Sequence, residues 1–351
     1  MEGRIVQDVV RAHAEGVAFC WAQFSLAFQA DPVDQVAIDR LRTETEAHLD
    51  GLRIAGTAAW PILIDQLETY EERGEVFAAA ILAFEQSNER RLLQVLSLAA
   101  TEEGRAGLRG AIAWVEPELT APYVRKWLDS SSPALRWLAV AAFADLKADP
   151  GTWLERLLSD PDDKVRALTC TAAAKARRDD MVPRLRELLE TSGAEVELAA
   201  AIGLLELGHP PDDTLTTPLR RAVLVDPGNV DLMRKLVSVS PPEDIRAWFA
   251  LLLKSNETAP VAIRGAGMLG DRSIGPWLAR QMRSADLCPA AGAAFLELFP
   301  EAWEIWDDLT SVEPADHGPE FVAAFEDETM GAFPVADRVT QFLSRIAGTV
   351  D

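Results

Sequence analysis

The sequence contains few of the residues and none of the motifs on which common enzyme classes depend. Its 351 residues include four histidines, the side chains that most often act as general bases near neutral pH. It has no glycine-rich phosphate loop, no Gly-x-Ser-x-Gly elbow, no Cys-x-x-Cys pair and no His-Glu-x-x-His motif. Adjacent carboxylates are frequent, as expected by chance with 56 acidic residues. We therefore predict a non-enzymatic protein with no catalytic residue, no cofactor and no metal site.

Cysteine and long apolar runs are also scarce. The three cysteines, Cys20, Cys170 and Cys288, are odd in number and far apart in apolar helical surroundings. This pattern predicts buried free thiols of a cytoplasmic protein. Apolar runs such as residues 137–144 are far too short to cross a bilayer, and the amphipathic start predicts no secretory signal.

Basic residues are outnumbered, with 34 Lys and Arg against 56 Asp and Glu and a net charge of −22. Binding to nucleic acid requires clustered cations that neutralise phosphates, so the charge argues against a nucleic-acid partner and against anionic lipid. It leaves a basic protein surface as the natural partner. The alternative is that the excess acid only keeps a helical protein in solution. Residues 301–351 hold twelve acidic and two basic residues.

A repeat of 30 and then 31 residues occupies the middle of the chain. Segments 132–138, 162–168 and 193–199 align without gaps, and their shared aliphatic position falls at Leu135, Val165 and Val196. Apolar residues follow at helical spacing, and Ser132 and Asp162 can accept hydrogen bonds from the first free N–H groups of a helix. A fixed period in this range predicts an all-α solenoid, in which antiparallel helix pairs stack on one another as a right-handed superhelix.

The same phase extends in both directions at spacings of 27 to 34 residues. The aliphatic positions are Val76, Leu108, Leu135, Val165, Val196, Val230 and Ile263. Outside the array we predict helices over 5–28 and 33–54, a boundary near Trp60-Pro61, a loop over 311–319 and a capping helix over 335–347.

Four of these positions are followed by arginine: Arg109, Arg136, Arg166 and Arg264. One interpretation is a ladder in which each arginine reaches an acidic group or a carbonyl oxygen in a neighbouring turn. The alternative is a row of cations that holds an acidic ligand. The net negative charge favours the ladder.

Two segments near the N-terminus carry a family resemblance. The run Val9-Val10-Arg11-Ala12-His13-Ala14-Glu15-Gly16-Val17-Ala18-Phe19-Cys20-Trp21 and the run Glu46-Ala47-His48-Leu49-Asp50-Gly51-Leu52-Arg53-Ile54-Ala55-Gly56 resemble HEAT-repeat proteins encoded in bacterial type VI secretion gene clusters. The resemblance is sharpest over residues 5–60 and continues as a repeat pattern to about 300. It implies a HEAT-like α-solenoid and no catalytic residues. Taken singly, His13 and His48 are predicted to be packed residues, since neither has a second His or Cys at ligand spacing.

These observations predict three segments: an N-terminal helical cap over 1–60, a HEAT-like array over 61–300 and an acidic segment with a capping helix over 301–351. The predicted function is a cytoplasmic adaptor or chaperone of a type VI secretion system that binds a component or effector with a basic surface. Another HEAT-repeat scaffold and a HEAT-like lyase-type enzyme are the alternatives.

The predicted partner contact comprises Trp303, Trp306, Asp307 and Asp308, because aromatic side chains beside acids suit a basic partner. The alternative is that both indoles are buried core residues.

Overall fold

The computed structural model describes residues 6–28, 34–326 and 329–347, and these residues are helical almost throughout. They fall into two compact units that divide between Gly203 and Leu204. In the first, helices run in the order α1 (Gln7–Ala27), α2 (Gln35–Ala55), α3 (Ala59–Tyr70), α4 (Arg73–Glu85), α5 (Glu89–Leu98), α6 (Glu102–Trp114), α7 (Pro117–Trp127), α8 (Pro133–Asp145), α9 (Trp153–Leu157), α10 (Asp163–Lys175), α11 (Val182–Thr191) and α12 (Ala194–Glu206), the last of which crosses the division. Turns of 3₁₀-helix cover Gly56–Ala58 and Asp179–Met181.

The second unit continues with shorter helices and one pair of two-residue strands. Its elements are α13 (Asp213–Val225), α14 (Val230–Val239), α15 (Pro242–Leu252), α16 (Ala259–Gly267), α17 (Gly275–Gln281), α18 (Cys288–Leu298), α19 (Trp306–Leu309), β1 (Thr310–Ser311), α20 (Pro314–His317), α21 (Pro319–Ala324), β2 (Phe333–Pro334) and α22 (Ala336–Ala347), with 3₁₀-helix at Arg272–Ile274 and Pro300–Ile305. The strands pair antiparallel, with Thr310 opposite Pro334.

The predicted all-α class and its repeat phase are confirmed. The seven aliphatic positions fall one each on the alternate helices α4, α6, α8, α10, α12, α14 and α16. Five of these positions are buried, and Leu135 and Val230 are partly buried. The helices α4, α6, α8, α10 and α12 are each 13 residues long. One repeat is therefore one helix pair, and the length variation lies in the partner helices and turns.

Helix α4 is the most enclosed helix of the first unit. Every residue from Val76 to Phe84 is buried, because α1, α3, α5, α6 and α7 all pack against it. Glycines permit the closest of these approaches. A Cβ at Gly74 would lie 2.3 Å from the carbonyl oxygen of Ala18 in α1, and one at Gly107 of α6 would lie 2.3 Å from the carbonyl oxygen of Arg73. Backbone therefore packs directly on backbone where α1, α4 and α6 meet.

Four of the 13-residue helices end in the same way. The second residue past the helix has positive φ at Ser87, Lys147, Arg177 and Gly208. In each case the next N–H reaches back to a carbonyl oxygen of the last turn, as from Asn88 to Ala83 at 3.0 Å. This is the Schellman arrangement, in which a left-handed residue satisfies the last free carbonyls. Of these four positions with positive φ, only position 208 carries glycine, the residue that adopts this conformation without strain.

Several local predictions need correction. Asp162 caps α10 by accepting from the Val165 N–H at 3.1 Å, but the Ser132 side chain makes no capping bond to α8. Pro133 removes one N–H group that would need a cap. The predicted loop over 311–319 is wrong, because Ser311 pairs in β1 and residues 314–317 form α20.

The terminal helices agree with prediction in part. The predicted boundary at Trp60-Pro61 is wrong, because both residues are helical in α3, which begins at Ala59; the break lies earlier, at the 3₁₀ turn Gly56–Ala58. A helix is present where the capping helix is predicted, namely α22, with Val339 and Phe342 buried. Residues 5 and 33, the predicted starts of the first two helices, lie outside the described residues.

Candidate functional site

The predicted contact residues lie together where α18 gives way to a 3₁₀ turn and α19. The rings of Trp303 and Trp306 are 6.4 Å apart at an interplanar angle of 48°. Trp303 is 44% exposed, whereas Trp306 is partly buried and stacks on Phe295 at 6.5 Å. The alternative of two buried indoles therefore fails for Trp303. We call Trp303, Glu304, Trp306, Asp307 and Asp308 the tryptophan patch.

Arg338 donates to the Asp308 backbone carbonyl oxygen at 3.5 Å, but the acidic side chains of the tryptophan patch have no ion-pair partner among the described residues. Glu304, Asp307 and Asp308 are exposed, and none makes an ion pair within the described residues. Nearby Glu301, by contrast, pairs with Arg272. The patch thus presents one exposed indole and three uncompensated carboxylates, which suits a lysine- or arginine-bearing surface.

A second candidate surface is an open groove of about 860 Å³ in the first unit. It follows α1, α4, α6 and the first turns of α8, α10 and α12. Its lining residues are Trp21, Ser25, Arg73, Glu102, Arg105, Ala106, Arg109, Gly110, Ala113, Ser132, Pro133, Ala134, Trp137, Asp145, Asp162, Lys164 and Glu195. Small residues leave room above α6, and the indoles of Trp21 and Trp137 supply apolar wall. Such a groove has the dimensions of a ligand or peptide site.

Charges in the groove are mixed. Arg109 donates from Nε and Nη2 to both oxygens of Asp145, each at 2.7 Å, and its guanidinium lies 5.7 Å from the centre of the Trp137 ring. The hydrogen bond with Asp145 raises the pKa of Arg109. Lys164 is exposed and makes no ion pair with any described residue. The groove is less acidic than the chain as a whole, since four cations and four carboxylates line it.

The arginine ladder is confirmed. Arg109 reaches Asp145 at the far end of the next 13-residue helix. Arg136 is buried and donates to both oxygens of Asp160, at 2.6 and 2.8 Å.

The other two arginines of the ladder also have partners. Arg166 donates to the Asp160 carbonyl oxygen and to Asp163, and Arg264 donates to the Ala293 carbonyl oxygen at 3.2 Å. Partners inside the fold thus engage all four arginines, which disfavours the alternative of a cation row for an acidic ligand.

The two N-terminal histidines meet, which the sequence reasoning missed. His13 on α1 and His48 on α2 lie 35 residues apart, yet their Nδ1 atoms are 3.2 Å apart. The two helices are antiparallel, so a residue near the start of α1 faces a residue near the end of α2. The signal available in sequence was the pairing of each histidine with a glycine, Gly16 and Gly51, at helical spacing.

The three cysteines are buried structural residues. All three cysteines are buried and free, as predicted. Burial raises the pKa of Cys170 and of Cys288 to about 12, which keeps both as thiols.

Within the described ranges, no cluster of three or more His, Cys, Asp or Glu side chains is arranged to hold a metal ion. No described helix combines the length and the apolar character needed to span a bilayer.

Comparison with known families supports the repeat assignment. Residues 150–254 match a family model described as HEAT repeats. The matched stretch runs from α9 to α15. Neither the search of curated proteins nor the search of solved structures gives a match. HEAT repeats are protein-interaction architectures, since stacked helix pairs create extended binding surfaces.

Proposed function

We propose that this chain is a non-enzymatic protein-binding scaffold, an adaptor or chaperone of a bacterial type VI secretion system that grips a component or effector through a basic surface. The HEAT-repeat match and the stacked helix pairs support the scaffold role. The likeness of the residue 5–60 region to HEAT proteins of type VI clusters supports the secretion context. The net charge of −22 supports a basic partner and argues against nucleic acid as a ligand.

The observation that carries the proposal is the exposed indole of Trp303 beside three carboxylates that have no ion-pair partner in the described part of the chain. A tryptophan loses little side-chain entropy on binding and covers a large area, so it is a frequent interface hot spot. Carboxylates at its rim attract a basic partner and speed the encounter. Trp306 supports the indole of Trp303 from its partly buried position.

The deciding experiment is co-purification of the full chain with the proteins of its own gene cluster. The proposal expects a partner from that cluster, with binding weakened at least tenfold by Trp303→Ala combined with Trp306→Ala while helicity and melting hold. If the double variant melts several degrees lower, the indoles are structural and the contact lies elsewhere.

Charge is tested separately with a matched pair of variants. Asp307→Asn with Asp308→Asn removes two charges from the tryptophan patch, and Glu71→Gln with Glu72→Gln removes two exposed charges at the start of α4. A basic partner should lose association rate with the first variant much more than with the second. Equal effects of the two variants would contradict a basic contact at the tryptophan patch.

The groove in the first unit offers a second candidate, the capture of a peptide segment of the partner. The wall indole Trp137 and the small residues of α6 favour it. Trp137→Ala would then abolish binding that survives the double tryptophan change. A tightly bound cofactor recovered with the chain would favour the lyase-type alternative, and partners from outside the gene cluster would favour another HEAT-repeat scaffold.

A further inference from the structure

The crossing of α1 and α2 holds a reciprocal arrangement of histidine and glycine. A Cβ at Gly51 would lie 2.5 Å from the His13 ring, and a Cβ at Gly16 would lie 2.4 Å from the His48 ring. Each imidazole therefore lies over a gap in the opposite helix that only glycine provides. Glycine is unfavourable inside a helix, so two such gaps place these rings at a cost in helix propensity.

The two rings converge through the same atom. Their Nδ1 atoms are 3.2 Å apart, and the ring planes meet at 67° with centroids 5.3 Å apart. Neither Nε2 atom has a hydrogen-bond partner among the described residues, and neither is sealed from solvent. One proton shared between the Nδ1 atoms is the alternative account of this geometry. Sharing a proton in this way requires the two neutral rings to be in different tautomers, one protonated on Nδ1 and the other on Nε2.

From this convergence we propose that His13 and His48 form a two-histidine site for a divalent transition metal ion, with Zn²⁺ as its probe. Neutral imidazole is a preferred ligand of such ions. Two bonds of about 2.0–2.1 Å at a tetrahedral angle place the ligand nitrogens about 3.3 Å apart, close to the separation observed. Water completes the coordination, since no third protein ligand converges here in the described residues.

The surroundings favour a cation that exchanges readily. Glu44 lies one helical turn before His48 on the same face, where it pairs with Arg40 at 4.0 Å and accepts a hydrogen bond from the Cys20 thiol at 3.9 Å. Bound histidines usually donate their second ring N–H to a carboxylate or carbonyl, which fixes the ring and strengthens the site. Here neither Nε2 atom makes such a bond among the described residues, so we expect the site to release its metal to a chelator.

The experiment uses the full-length chain without a histidine tag. Zn²⁺ is titrated at pH 7.5 in competition with a chromophoric chelator, and we expect one equivalent to bind. His13→Gln and His48→Gln should each weaken binding at least tenfold, whereas His209→Gln and His317→Gln should leave it unchanged.

A second readout covers the case in which a variant fails to fold. Substoichiometric Cu²⁺ is added to the wild-type chain, and the four histidine Cε1–H resonances are followed by NMR. The proposal expects selective broadening of two resonances, those of His13 and His48. Equal broadening of all four, or of none, overturns it, as does unchanged Zn²⁺ affinity in a folded His13→Gln chain.

Discussion

Replacement of Arg136 by methionine tests whether the ladder stabilises the repeats through buried charge. The side chains of Arg136 and Asp160 are 9% and 5% exposed, and they join α8 to the turn before α10. Arg136 also donates to the Ser130 carbonyl oxygen at 2.8 Å. Methionine keeps most of the apolar stem and removes only the charge and its hydrogen bonds. Asp160 then stays buried without its cation.

Loss of one partner of a buried ion pair costs about 3–5 kcal/mol of unfolding free energy, because the remaining charge is uncompensated. The matched control is Arg156→Met, since Arg156 and Asp129 also join neighbouring helices but are 56% and 64% exposed. Exposed pairs contribute about 0–1 kcal/mol. The double change Arg136→Met with Asp160→Asn should cost less than Arg136→Met alone, because no buried charge remains.

The difference should also depend on pH. Burial by itself raises the pKa of Asp160, but hydrogen bonds from Arg136 and from the Asp162 N–H outweigh burial and lower it below its usual value. The wild-type pair therefore stabilises the fold above the unfolded-state pKa of about 3.9, and this contribution is lost as pH falls through the lowered pKa.

In the methionine variant burial, the Asp162 N–H and the nearby charge of Arg166 remain but the bonds from Arg136 are lost, so Asp160 protonates more easily and the penalty shrinks as pH falls from 7 towards 4. Urea unfolding at both pH values measures this, with each transition fitted separately because repeat arrays need not unfold in one step. Equal costs for Arg136→Met and Arg156→Met at pH 7 would refute the reasoning.

Three further outcomes follow from packing, backbone conformation and burial. Leu138→Ala should cost about 2–5 kcal/mol by urea unfolding, and Leu168→Ala less, because Leu138 is fully buried and Leu168 only partly; equal losses would place the stripe of α10 on the wrong face. Residues 147 and 208 both have positive φ, so Lys147→Gly should stabilise the chain by up to about 1 kcal/mol and Gly208→Ala should destabilise it by about the same amount. Thermal melts in which Lys147→Gly lowers the melting temperature and Gly208→Ala raises it would contradict backbone strain at these positions. Cys170, whose pKa burial raises to about 12, should resist iodoacetamide at pH 8 until urea unfolds the chain; alkylation in the native state, read by mass spectrometry, would show that the repeat opens there.

The repeat was predictable because each helix buries one stripe, and the stripe recurs in sequence at a nearly fixed interval. Val165 and Val196 could be placed on equivalent buried positions without knowledge of the neighbouring helices. Caps are less predictable, since Asp162 binds its helix and the chemically similar Ser132 does not. Lys147 and Arg177 adopt the left-handed conformation after their helices without the glycine that usually marks such a helix end.

The candidate sites depend on distances that the sequence does not contain. The sequence predicts His13 and His48 to be separate packed residues because neither has a second ligand at the spacing of a single helix, whereas the rings meet across two helices. Trp303 and Trp306 were correctly placed side by side from their three-residue spacing. Their unequal exposure depends on Phe295 of the preceding helix α18, whose ring stacks on the ring of Trp306. The groove combines residues from six helices and has no signal in any one of them.

The enclosure of α4 limits how this chain can be shortened. In an ordinary repeat protein the terminal unit has a polar outer face, so whole repeats can be removed from an end and the remainder still folds. Here the segment from Val76 to Phe84 has no polar side to show to water. A deletion that starts a fragment at α4 would expose the apolar side chains of this segment that α1 and α3 cover, and we expect such a fragment to aggregate. A fragment that keeps α4 should therefore also keep α1 to α3, because α1 and α3 cover it.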